Sequence, residues 1–293
     1  MWQNWKKKCD DGRITGSGCI VAGKQLHRLR RKSPLKMRHC PMNEKLLRVS
    51  VITVCKNAGL VIERTLLSVI QQSYPAMEYI IIDGDSKDES LAIINKYMNN
   101  IKTVISEPDR GLYDAMNKGV AQATGDYLLF LNAGDYLLHS SVIALMMHKI
   151  RHADLANVDI ICGNVITFEP SNGTAWIGKI TKISPLTLYS GSLPHPATLH
   201  RRSAFAKNGL YNTDYKIAAD YEWFVRGMQK NKLTFAHLGV VVSVFINDGL
   251  STENKWQELH EQEKQRLREC HYSKRERAIF KTGHFLRKNK LIR

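Results

Sequence analysis

The sequence predicts an α/β fold with a doubly wound, mostly parallel central sheet flanked by helices. Short β-branched runs alternate with longer amphipathic stretches from Val49 to Leu131, the spacing expected of βαβ units. Hydrophobic residues make up 43% of the 293, a share that supports a buried core and excludes global disorder. The length suits one large domain or two modest ones.

Val49-Ser-Val-Ile-Thr-Val54 is the first, buried strand. Leu60–Gln72 sets Ile62, Leu66, Val69 and Ile70 on one helical face. Tyr79-Ile-Ile-Ile-Asp83 is the second strand, and Ser86-Lys-Asp-Glu89 reads as a capping box opening a helix to about Asn99. Lys102–Ser106 is a third strand. A helix follows from about Tyr113 to Ala123, closed near Gly125, and Tyr127–Leu131 is the fourth strand. In open α/β sheets ligands sit outside the carboxyl ends of the strands. Those ends carry Asp83, Asp85, Glu107, Asp109 and Asp135, so an acidic cleft is expected.

The formal net charge is +16. Residues 1–48 hold 13 basic and 3 acidic side chains, residues 251–293 hold 12 and 6, and the body between them holds 18 of each. A nucleic-acid-binding domain normally carries its basic face on the fold itself. A neutral body with basic ends suits an enzyme whose ends can touch an anionic membrane surface. No apolar run is long enough to span a bilayer, and Ile14–Ala22 is interrupted by glycines and polar residues, a poor signal-peptide core. The six cysteines, Cys9, Cys19, Cys40, Cys55, Cys162 and Cys270, are scattered without C-x-x-C spacing. That favours a reducing, cytosolic setting. Cys55 and Cys162 read as small core residues.

Residues 1–41 mix basic residues and glycines without periodicity, so a disordered leader is expected, with Met42 as the natural start. A genuine basic anchor is the alternative. Residues 254–293 are expected to form a basic helical tail. Trp256–Cys270 is charged nearly all round, with Trp256, Leu259 and Leu267 as its apolar markers. Ile279, Phe280, Phe285 and Leu286 are interleaved with Lys281, Arg287 and Lys288, a pattern suited to a membrane interface or to packing on the body.

Carboxylates at strand ends suit a hard divalent cation, and such a cation suits a diphosphate. The P-loop, G-x-G-x-x-G, G-x-S-x-G, H-E-x-x-H and kinase patterns are all missing. What remains is an enzyme that releases a nucleotide diphosphate. A nucleotidyltransferase is a second reading, although it normally wants a glycine-rich basic loop where Val54-Cys-Lys-Asn-Ala-Gly59 stands. A basic nucleic-acid binder is the non-enzyme alternative.

Four stretches, in order and spacing, resemble family 2 glycosyltransferases. They are Val51-Ile-Thr-Val-Cys-Lys-Asn-Ala, Ile81-Ile-Asp-Gly-Asp-Ser-Lys-Asp, Glu107-Pro-Asp-Arg-Gly-Leu-Tyr-Asp-Ala-Met-Asn-Lys-Gly119 and Gly125-Asp-Tyr-Leu-Leu-Phe-Leu-Asn-Ala-Gly-Asp135. Leu193-Pro-His-Pro-Ala, Ala219-Asp-Tyr-Glu-Trp and Asn247-Asp-Gly-Leu-Ser-Thr252 are similar to the colanic-acid type that builds bacterial surface polysaccharide. The resemblance covers about residues 49–253 and implies the GT-A fold and an inverting transfer. It implies a nucleotide-sugar donor and a glycan acceptor, plausibly lipid-linked, in capsule, exopolysaccharide or O-antigen synthesis. Residues 42–253 are then the catalytic domain, with 42–136 the nucleotide-binding half and 137–253 the acceptor half. The expected place is the cytoplasm, at the inner face of the cell membrane.

The resemblance also implies roles for single residues. Asp83 and Asp85 would hold the nucleoside, against the plainer reading of a capped turn. Thr53, Asp109, Arg110, Asn117 and Asn132 join them in the donor pocket, with Arg110 equally readable as a solvated surface residue. Asn132-Ala-Gly-Asp135 stands in place of the family's Asp-x-Asp metal motif and departs from it. Asp135 is therefore the expected ligand of a divalent metal, Mn or Mg, with Asn132 beside it. Asp220 matches the general base, against an N-cap reading. His195, Glu222 and Ser251 are assigned to the acceptor side, with Thr252 beside Ser251.

Overall fold

The computed structural model describes residues 46–178, 180, 182–247 and 254–288. The expected leader 1–41, the start at Met42, Ser251 and Thr252 lie outside the described residues. The elements in chain order are β1 (Val49–Cys55), α1 (Ile62–Ile70), β2 (Met77–Asp83), α2 (Ser90–Asn95), β3 (Thr103–Ser106) and α3 (Leu112–Gln122). Next come β4 (Tyr127–Phe130), β5 (Tyr136–Leu137), α4 (Val142–His152), β6 (Ile160–Glu169), β7 (Thr174–Gly178) and α5 (Pro185–Ser190). The rest are β8 (Thr198–Arg201), α6 (Arg202–Asn208), α7 (Ala219–Gln229), β9 (Phe235–Ile246), α8 (Asn254–His271) and α9 (Lys274–Lys288).

One sheet joins all nine described strands in the order β3-β2-β1-β4-β8-β6-β9-β5, with β7 paired to β6. β3, β2, β1 and β4 are mutually parallel. Beyond them β8 runs antiparallel to both β4 and β6, while β6 and β9 are parallel. The chain lays β2 and β3 on one side of β1 and then β4 on the other. That reversal opens a crevice at the carboxyl ends of β1 and β4.

Alternation along the strands divides the core into two faces. Val49, Val51, Tyr79, Ile81 and Leu129 face α1 and α4, with Ile62, Leu66, Val69, Val142, Met146 and Ile150 opposite them. Ile52, Val54, Ile80, Ile82, Leu128 and Phe130 face the other way, onto residues of α3, α6 and α7 such as Met116, Phe205 and Phe224. Cys55 and Cys162 are both buried among these residues. The close approach of α3 requires Gly119, where a Cβ would come within 2.5 Å of Ile52.

The expected capping box at Ser86 is corrected. α2 begins at Ser90, and the Ser86 hydroxyl turns back to Asp83 instead. Asp88 takes the Ser90 amide and hydroxyl, so the cap sits two residues later. The helix ends at Asn95, followed by a 3₁₀ turn over Met98–Asn100.

The C-terminal helices pack on the body. Leu267 of α8 is fully buried and Tyr272 nearly so, and Phe280 of α9 lies against Tyr189 and Tyr272. Among the described residues no helix is long and apolar enough to cross a membrane.

At the amino ends of the parallel strands, Glu78 is buried and heavily bonded. It accepts from the Ser50 hydroxyl at 2.5 Å, Lys102 Nζ at 2.6 Å, and both the amide and hydroxyl of Thr124 at 2.6 Å. Burial alone would raise its pKa, but these donors outweigh it and bring it to about 2. A depressed carboxylate stabilises the fold above its unfolded pKa and loses that contribution as pH falls through its folded one. Glu78→Ala should therefore cost about 3 kcal/mol at neutral pH. In urea unfolding, the gap between variant and wild type should close as pH falls from 4.5 to about 2. A gap that stays constant across that range would contradict this account.

Candidate functional site

At the strand ends, several residues expected to meet a ligand are occupied by the protein itself. Asp83 closes β2 with no exposed surface. Its carboxylate accepts from the Ser86 amide and hydroxyl, the Ser106 hydroxyl and the Cys55 thiol. Burial alone would raise its pKa, yet these donors hold it below the usual range. The same burial, with the Asp83 charge beside it, pushes the Cys55 thiol far up. Asp83 thus fastens the ends of β1, β2 and β3 together. Thr53 is also fully buried, donating to the Leu131 carbonyl at 2.8 Å beside the Tyr79 hydroxyl. It does not reach the cleft. Asn117 pairs both ways with the Tyr211 backbone, at 2.9 and 3.0 Å, bracing α3 against the loop before α7.

Asp85, Asp109 and Arg110 remain at the surface of the cleft. Asp85 is half exposed and pairs with Lys87 at 2.7 Å. Asp109 lies over Gly84, where a Cβ would come within 2.0 Å of its Oδ2. Only glycine lets the carboxylate sit there. The Arg110 guanidinium is exposed and bonds Asp114 at 2.9 Å.

A second group of side chains gathers around the start of α7. Asp220 stands in the first turn, half-buried. The Tyr113 hydroxyl, from α3, lies 2.9 Å from Asp220 Oδ1 and 2.6 Å from the Ile217 carbonyl. Burial and the Asp220 charge raise the pKa of Tyr113 well above its ordinary value, so it stays a donor. His195 is buried, stacked on Phe130, with its Nε2 3.0 Å from the Tyr211 hydroxyl. Burial lowers its pKa against the pull of Asp220, which keeps the ring neutral near pH 7. Glu222 faces away. It is buried between Arg226, an ion pair at 3.0 Å, and His271 of α8 at 2.9 Å, and so ties α8 to α7.

The metal expectation rests on Asn132 and Asp135. Asp135 does not end β4 as expected. It precedes β5, is buried, and its Oδ1 lies 3.4 Å from the Ile246 amide. Among the described residues no group of three His, Cys, Asp or Glu is placed to hold a metal ion. Asn132 Oδ1, however, is buried without a hydrogen-bond partner. An orphaned carbonyl oxygen three residues before a buried carboxylate is compatible with a cation that takes most of its ligands from a diphosphate and water.

The family pattern described as glycosyl transferase family 2 matches residues 50–226. The chain belongs to that family. A PGL/p-HBAD biosynthesis glycosyltransferase of Mycobacterium tuberculosis is 32% identical over 203 residues, covering 68% of this chain and 77% of the relative. The poly-beta-1,6-N-acetyl-D-glucosamine synthase of Staphylococcus epidermidis is 28% identical over 178 residues, covering 57% of this chain and 42% of that one. Among solved structures, S. aureus TarS 1–349 in complex with UDP superposes with a TM-score of 0.57 at 21% identity, over 68% of this chain and 60% of that one. The mannosyltransferase PcManGT of Pyrobaculum calidifontis, in complex with GDP-Man and Mn²⁺, gives 0.56 at 16% identity, over 83% and 68%. The fold of this glycosyltransferase is thus of the GT-A type, and the nucleotidyltransferase reading falls.

Two groups near Asp220 escaped the sequence reading. Tyr113 lies inside a quoted motif, but nothing in the pattern shows that it reaches Asp220. Glu263 of α8, a buried carboxylate that accepts the Lys216, Ile217 and Ala218 amides, was legible in principle, because it sits between Leu259 and Leu267 at helical spacing, and a carboxylate on an apolar stripe must find donors. For Asp83 the consequence is direct. Asp83→Asn should lower stability by about 2 kcal/mol, because an amide nitrogen then faces hydrogen-bond donors. Nucleotide-sugar affinity of the folded protein should stay within about twofold. Wild-type stability with lost donor affinity would return Asp83 to the donor pocket.

Proposed function

We propose that this glycosyltransferase moves a sugar from a nucleotide-sugar donor to a glycan acceptor, lipid-linked, in the building of bacterial surface glycan, with inversion at the anomeric carbon. The observation that carries the reading is Asp220, a half-buried carboxylate at the head of α7 whose Oδ1 is held by Tyr113. In a single displacement its carboxylate takes the proton of the acceptor hydroxyl. That oxygen bonds the anomeric carbon as the bond to the diphosphate breaks, and the nucleoside diphosphate leaves from the opposite face. Tyr113 orients the carboxylate and keeps its own proton. Asp85 and Asp109 would accept hydrogen bonds from the nucleoside, and Arg110 would meet the diphosphate once it leaves Asp114.

Asn132 and Asp135 would hold the divalent cation, Mn²⁺ or Mg²⁺, which supplies charge neutralisation to the departing diphosphate. The donor class is supported by relatives of the same fold seen with UDP and GDP-Man. Work at the cytoplasmic membrane face is supported by the basic ends and by α9, where Ile279 is exposed among Lys274, Arg275 and Lys281.

Asp220→Asn is the test. It keeps size and removes no cap bond, because Ala218 and not Asp220 holds the cap position, so stability should change by less than about 1 kcal/mol. Turnover should fall by roughly 10²–10⁴-fold, the usual contribution of a positioned base. Donor binding should survive, read as thermal stabilisation by UDP-, GDP- and dTDP-sugars with Mn²⁺. Near-normal turnover would leave Asp220 a first-turn acid of α7 and nothing more.

A further inference from the structure

Helix α7 has no side-chain cap of its own, since Ala218 occupies the cap position. The missing acceptor comes from α8. Glu263 Oε1 accepts the Lys216 amide at 2.6 Å, and Oε2 accepts those of Ile217 and Ala218 at 3.0 and 2.9 Å. Three successive amides converge on one carboxylate that is only 5% exposed. A buried carboxylate is tolerable only when its oxygens are saturated in this way. Capping alone would need no more than Ser, Asp or Asn at residue 218. Instead the chain brings a charge from a helix 45 residues further on.

What that charge fixes is the turn that carries the proposed base. The peptide group joining Ile217 to Ala218 donates its N–H, that of Ala218, to Glu263 and offers its carbonyl to Tyr113, and the Tyr113 hydroxyl also reaches Asp220. A continuous path therefore runs from the Glu263 carboxylate through one peptide unit and one phenol to Asp220. His260, one turn earlier on α8, lies close enough for the Asp220 charge to act on it. α8 thus passes alongside the head of α7, although it lies outside the residues matched by the family pattern.

We propose that Glu263 is a positioning residue for transfer, setting Asp220 through the 216–218 backbone and Tyr113. The proposal rests on the reading of Asp220 as base. It makes the C-terminal helix part of the catalytic machinery. A base misplaced by about 1 Å can cost up to 10²-fold in rate. Loss of this clamp should therefore appear in turnover before it appears in donor affinity.

The test compares Glu263→Gln, Asp220→Asn and the double variant in the full chain. Turnover is measured with whichever of UDP-, GDP- and dTDP-glucose stabilises the protein. Amide hydrogen exchange over residues 216–220 is followed without ligand. Glu263→Gln should lose about 10-fold or more in kcat, with donor affinity within about twofold and faster exchange confined to that turn. In the Asp220→Asn background the same change should cost less than about twofold, because residues acting as a unit are non-additive. A merely structural role would multiply the two losses. The proposal is overturned if Glu263→Gln keeps kcat within about twofold of wild type, or if the double variant shows the full product of the single losses. An active Asp220→Asn counts against the base itself, and that result is visible in the single variant. Should Glu263→Gln fail to fold, Glu263→Asp, too short to span three amides, carries the same comparison.

Discussion

A carboxylate taken out of water costs several kcal/mol unless donors surround it, and this chain places acidic groups where its sheet and loops must be joined. Among the described residues six acidic side chains are buried: Glu78, Asp83, Asp135, Asp159, Glu222 and Glu263. Glu78 ties the amino ends of β1 and β2 to the turn before β4. Asp83 ties their carboxyl ends to β3. Asp159 accepts from Lys207 of α6 and from both the amide and hydroxyl of Thr234, joining the starts of β6 and β9. Glu222 and Glu263 bind α8 to α7. Of the five acids expected to line the cleft, Asp83 and Asp135 are buried, while Asp85, Glu107 and Asp109 keep surface.

That division decides what is left for chemistry. At the ends of β2 and β3, Asp85 and Asp109 keep surface, and Asp109 does so because Gly84 leaves room for its carboxylate. At the head of α7, Asp220 is spared the ion pairs that consume Glu222 two residues later. Around Asp220 the environment is aromatic and neutral: Tyr113, Tyr211 and His195 are buried, and His195 is kept neutral near pH 7 by its burial. A base in such surroundings meets few competing charges, and Tyr113 gives it one fixed orientation.

The alternation of β-branched runs and amphipathic stretches made β1 to β4 and α1 to α3 legible, because periodicity reports burial directly. The later sheet was not legible, since β8, β6 and β9 pair across long separations that no local pattern encodes. Family motifs named candidate site residues, but not the direction in which each side chain points. Asp83 and Asp85 look alike in the sequence, yet one closes a strand inward and the other, at φ 62°, turns outward. Asn117 reads as a pocket residue until Tyr211, 94 residues later, takes both ends of its amide. Glu222 reads as a spare acid because its partner His271 lies beyond the motif region altogether.

The central claim is that one carboxylate, Asp220, serves a single displacement while its buried neighbours serve the fold. The most direct measurement is the anomeric configuration of the first product, read by proton NMR from a donor of known configuration. One base and one displacement predict an inverted anomeric centre. A retained configuration would require a second carboxylate close to the anomeric carbon to act as nucleophile. That result would contradict this assignment of the site.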